Sequence, residues 1–135
     1  MRFLLGALAV ASILGITAIQ QVSAEDLTHT KDTPETAKQN IKDGKAVLVD
    51  VREQKEWDAG HIAGALLMPK SKLDVEKEAA ALMQKLDKAK IVYTHCKAGR
   101  RALACGEILK QQGFDVRPLK QGYEDLLKAG FEKAK

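Results

Sequence analysis

Three stretches of this chain are apolar or nearly so and are too short for ordinary helices: Ala46–Val49, Ala65–Met68 and Ile91–Thr94. A half-exposed strand alternates apolar and polar residues, whereas an unbroken run has no polar face to offer water. These segments therefore belong in a sheet covered on both sides. Helical signals lie between them. Thr33-Pro34-Glu35 opens a helix, because Thr33 can cap it and Pro34 in the first position loses no hydrogen bond. Gly44 is placed to end that helix. Glu53 to Ala59 is expected as a short helix around Trp57, stopped by Gly60. Leu73, Val75, Ala79, Leu82, Met83 and Leu86 recur at helical spacing, so one helix is predicted from Leu73 to Leu86. Arg101 to Gln112 reads as another, followed by a short strand from Phe114 to Leu119 and a last helix from Tyr123 to Ala129. Strands alternating with helices predict the α/β class, with a parallel sheet between two helical layers.

The amino terminus has a different character. Met1-Arg2 precedes an uncharged, mostly aliphatic run from Phe3 to Ile19, and Val22-Ser23-Ala24 supplies the small residues that signal peptidase accepts. Residues 1–24 are expected to be a secretory signal peptide cleaved after Ala24, which places the protein in the periplasm or otherwise outside the cytoplasm. Retention of the run as an anchor is the alternative; its length permits that, and the small-residue ending argues for cleavage. No later segment is apolar for long enough to span a bilayer. The remaining 111 of 135 residues suffice for one domain. It is expected over residues 33–133, after a flexible polar lead-in over 25–32. Loss of Arg2 takes the net charge from +4 to +3, a mild value with the lysines scattered among acids. Aromatic residues are only 4% of the chain, so few rings could stack on bases and no nucleic-acid partner is expected. Exported domains of this size often carry several disulfides. Here there are two cysteines, Cys96 and Cys105, so stability must come mainly from packing.

The chemistry concentrates between Ile91 and Ala102. A buried strand delivers Cys96 to its carboxyl end, and a helix starts about five residues later. Ligands of open α/β sheets bind at such ends, and a loop entering a helix aims several backbone N–H groups at one spot. The first helical turn normally favours acids, yet Lys97, Arg100 and Arg101 stand there. That crowding of positive charge costs stability unless an anion visits. The same field favours a thiolate at Cys96, making it a nucleophile. The plainer alternative, a small core cysteine on an ordinary basic surface, does not explain three cations and a flexible Gly99 around one thiol.

The loop Cys96-Lys97-Ala98-Gly99-Arg100-Arg101 resembles the C-[RK]-x-G-x-[RT] pattern of the rhodanese-like sulfurtransferases. Upstream, Asp50-Val51-Arg52, Glu56-Trp57, Gly60-His61-Ile62-Ala63-Gly64-Ala65 and Pro69 are similar to the family's D-x-R…E-[WYF]…G-H-I-x-G-A…P stretch. Gln121-Gly122-Tyr123 and Gly130 resemble its closing G-G-[WFY]…G, with Gln121 where glycine is usual. The resemblance runs from about Thr33 to Phe131 and is strongest to short exported single-domain members of the phage-shock type. It implies a rhodanese-like three-layer α/β/α domain with a central parallel sheet. It also implies that Cys96 takes the outer sulfur of thiosulfate or a similar donor as a persulfide. The backbone of Lys97, Ala98, Gly99, Arg100 and Arg101 would hold that sulfur, and cyanide or another thiophilic acceptor would remove it. No metal or organic cofactor is implied. The expected partners are a small anionic donor and a thiophilic acceptor, a thiol protein being a further candidate, and the domain is expected to be a monomer.

Rival readings differ in ways the residues address. Cysteine phosphatases of related fold use C-x5-R, a loop large enough for phosphate, whereas Cys96 to Arg101 is C-x4-R. A thiol redox protein wants a C-x-x-C pair, which this sequence lacks. A non-catalytic or carrier module that binds or relays sulfur is the remaining alternative. His95 invites a dyad with Cys96, but neighbours at a strand end point to opposite sides, so packing is expected instead. His61 is expected to bond a backbone group and fix a turn, without metal-ligand spacing to other His or Cys. Asp50 and Arg52 are expected to pair and brace the cysteine loop, and Trp57 to anchor its helix in the core. Cys105 is expected to be a buried free thiol, too far along the helix to pair with Cys96.

Overall fold

A computed structural model of the protein describes residues 26–135; the expected signal peptide, 1–24, lies outside the described residues. Thr33 caps α1 (Pro34–Lys42) by accepting from the N–H of Thr36 at 3.1 Å. The first apolar run is β1 (Ala46–Asp50), in which Asp50 continues the ladder opposite Leu67 and His95. It is followed by α2 (Gln54–Ala59), β2 (Leu66–Leu67), α3 (Lys70–Leu73), α4 (Glu76–Met83), β3 (Ile91–His95), α5 (Arg100–Gln111), β4 (Asp115–Pro118) and α6 (Tyr123–Lys128). The four strands pair in parallel in the order β2-β1-β3-β4. The expected α/β class with a central parallel sheet is the observed one.

Alternation along β1 and β3 sorts their side chains into two cores. Val49 and Val92 face Leu73, Ala79, Ala102, Cys105 and Leu109 of α3, α4 and α5. Ala46, Leu48 and Tyr93 face Ala37 of α1 and Leu126 of α6. The central strands are buried on both faces, which is why their sequences carry unbroken apolar runs. Among the described residues no helix is long and apolar enough to cross a membrane.

Three expectations need correction. The helix predicted from Leu73 to Leu86 is two helices. Asp74 closes α3, with its N–H on Lys70 O at 2.9 Å and its carboxylate on Lys70 Nζ at 2.6 Å. Val75 is then extended (φ −105°, ψ 112°) and 46% exposed, so its place in the apolar periodicity was coincidental. Trp57 is half-buried and outside both cores; it stacks on His61 with ring centroids 3.6 Å apart and planes 7° from parallel. The lead-in, expected to be flexible over 25–32, is tied to the domain from Leu27 onward by hydrogen bonds to α5, β3 and β4. Leu27 and Asp32, one apolar and one acidic, have partners across the chain that local polarity does not reveal. The other departure is small: of Ala65–Met68 only Leu66 and Leu67 form strand, because Pro69 ends it at once.

Candidate active site

β3 is central in the sheet, so its last residues emerge from the core at the carboxyl edge, between β1 and β4. Cys96 is the first residue past it and is only 1% exposed. Its Sγ accepts from the N–H of Gly99 at 3.0 Å and from the N–H of Ala102 at 3.4 Å, the second of which belongs to the first turn of α5. The loop thus curls around the sulfur. Gly99 makes the curl by adopting φ +92°, a conformation that side chains disfavour. Gly122, before α6, lets that helix approach closely: a Cβ there would lie 1.7 Å from Lys97 O. The approach is fixed by Tyr123, whose N–H donates to Cys96 O at 2.9 Å.

Above the sulfur is a recess of about 470 Å³, lined by Lys70 from α3 and by Lys97, Ala98, Arg100 and Arg101 with Cys96 at its floor. Of the three cations expected to want an anion, one already has its partner. Arg101 holds Glu56 of α2 through both carboxylate oxygens, at 2.5 and 3.0 Å, and this drives the Glu56 carboxyl down to about 2. Among the described residues Lys97 and Arg100 are exposed and make no ion pair. Sequence reasoning quoted Glu56 as part of a motif and gave it no role. It also missed Lys70, which pairs with Asp74 and adds a fourth cation to the wall.

Beneath the loop lies a buried polar layer. Arg52 grips Asp50, with Nη2 at 2.8 Å from Oδ2, and donates to Gly60 O at 2.8 Å. Its guanidinium carbon stands 4.2 Å from the centre of the Tyr123 ring. The pair therefore reaches Cys96 through Tyr123. His95 is fully buried, with Nε2 3.6 Å from Asp50 Oδ2 and, among the described residues, no hydrogen bond at either ring nitrogen. Burial, only partly opposed by Asp50, pushes its pKa down to about 4. A ring of such low basicity that does not bond the sulfur is poorly placed to act as a base on Cys96. His61 Nδ1 lies 3.1 Å from Trp57 O, across the turn that ends α2. Cys105 is a free, fully buried thiol whose pKa burial pushes up to about 12, which leaves it unreactive.

With this geometry in view, the likeness to known proteins is specific. The family described as rhodanese-like domain matches residues 33–129. A probable adenylyltransferase/sulfurtransferase MoeZ of Mycobacterium tuberculosis is 40% identical over 70 residues, 52% of this chain. The match covers 17% of that protein's length. Among solved structures, the human single-domain sulfurtransferase TSTD1 superposes with a TM-score of 0.60 at 29% identity, covering 76% of this chain and 97% of that one. A rhodanese-related protein of Thermoplasma volcanium gives 0.61 at 26% identity, covering 75% and 93%.

Proposed function

Because the chain belongs to the rhodanese-like domain family, we propose that it is a thiosulfate sulfurtransferase working through a persulfide on Cys96. The observation that carries this reading is the Cys96 sulfur at the floor of a cationic recess, with N–H groups of Gly99 and Ala102 aimed at it. Such donors bond an anionic sulfur more strongly than a neutral one. The thiolate attacks the outer sulfur of thiosulfate; a new S–S bond forms, the donor's S–S bond breaks, and sulfite leaves with the electron pair. Cyanide or another thiophilic acceptor then bonds to the carried sulfur, and the Cys96 thiolate is released. Lys97 and Arg100 draw in the dianionic donor and offset the charge that develops on sulfite. The backbone from Lys97 to Arg101 cradles the outer sulfur, while Asp50 and Arg52 brace the loop and His61 fixes the turn after α2.

The protein works as a monomer outside the cytoplasm after removal of residues 1–24, like the exported phage-shock type. Fractionation of cells followed by amino-terminal sequencing checks that part. For the chemistry, the protein is given thiosulfate and cyanide, thiocyanate is followed, and the protein is weighed for one added sulfur. Cys96→Ser is expected to lose both signals while keeping its fold. Loss of turnover in Cys105→Ser but not in Cys96→Ser would refute the assignment. Sulfur gained without turnover would favour a carrier that hands sulfur to a thiol protein.

A further inference from the structure

The family match begins at Thr33, yet the residues just before it reach the site. Leu27 donates its N–H to Glu107 Oε1 of α5 at 2.6 Å. Thr30 donates its N–H to Pro118 O of β4 at 2.7 Å. Asp32 accepts from Tyr93 Oη at 2.6 Å and from Arg117 Nη1 at 3.0 Å. These bonds draw residues 27–32 over α5 and β4 as a strap, and His29 lies within it. Its Nε2 stands 2.8 Å from Gly99 O. A carbonyl only accepts, so His29 donates from Nε2, as either the neutral Nε2–H tautomer or the imidazolium does.

Gly99 is the residue whose own N–H reaches the Cys96 sulfur at 3.0 Å. Its backbone is held from two directions: the place of a missing Cβ is 2.9 Å from Lys120 O and 3.1 Å from His29 Nε2. Glycine has the widest backbone freedom of any residue, and a donor must be aimed to be useful. We infer that His29 is a positioning residue, through which the strap fixes Gly99 so that its N–H points at the sulfur on Cys96. This rests on the proposed role of Cys96 and extends it to a segment outside the matched domain. His29 acts through Gly99, not on the substrate.

The test compares the protein with its His29→Ala and His29→Gln variants in thiosulfate:cyanide turnover, in amide hydrogen exchange at Gly99 and in melting temperature. Loss of one such hydrogen bond is expected to lower kcat about fivefold with KM for thiosulfate little changed. Exchange at Gly99 should quicken by a similar factor while the melting temperature stays near that of the parent. Gln, which keeps a side-chain N–H donor, should recover most of the rate. Unchanged kcat, or a slower rate with Gly99 exchange unaltered, would overturn the inference. So would a uniform rise in exchange with a lower melting temperature and no recovery by Gln, the pattern of a merely stabilising strap. If the parent protein moves no sulfur but Gly99 exchange still rises locally in His29→Ala, the strap's hold on the loop stands and the proposed function falls.

Discussion

His95 shows how far one side chain's setting can depart from what its neighbours in sequence suggest. Adjacent to Cys96, it is sealed in the sheet with its ring neutral and its pKa lowered to about 4. In the unfolded chain the ring takes up a proton near 6.5, and in the folded protein only near 4. Between those values the unfolded state binds more protons, so the His95 contribution to stability falls as pH drops from about 6.5 to about 4 and is constant below, where protonation of Glu56 continues the decline. The swing is on the order of 3 kcal/mol. Urea denaturation across that range is expected to show it, and His95→Gln is expected to flatten it. Cys96 was legible in the sequence because strand, loop and helix follow one another within a dozen residues. Glu56 and His29 were not, because their partners Arg101 and Gly99 lie 45 and 70 positions away. No local spacing encodes such a meeting.

Among the elements, the start of α6 matters most to the loop. Gly122 and Lys97 approach so closely that a methyl group would collide with the carbonyl oxygen of Lys97. Gly122→Ala must push α6 or the loop aside and break the Tyr123–Cys96 hydrogen bond. A cost of roughly 2–4 kcal/mol is expected in urea denaturation, with sulfur transfer reduced further than the lost folded fraction explains. β1, β3, α1 and α5 were readable because their signals are local: unbroken apolar runs, the Thr33-Pro34 start, and a regular apolar side on α5. The break between α3 and α4 was not, since it depends on Asp74 turning back on Lys70. Apolar spacing continues smoothly across that turn.

At the scale of the molecule, two cores on opposite faces of one sheet hold the fold together, and the described cysteines form no bridge. The melting temperature is therefore expected to be the same with and without dithiothreitol, despite the expected oxidising location; a drop on reduction would point to a disulfide. The order of strands has a further effect. One outer border of the sheet is the two-residue β2. The other is β4, where Pro118 has no N–H to offer and its carbonyl is already taken by Thr30. Neither border gives a stranger's backbone a long row of free partners on which to add itself. At high concentration this protein should resist joining into fibrils.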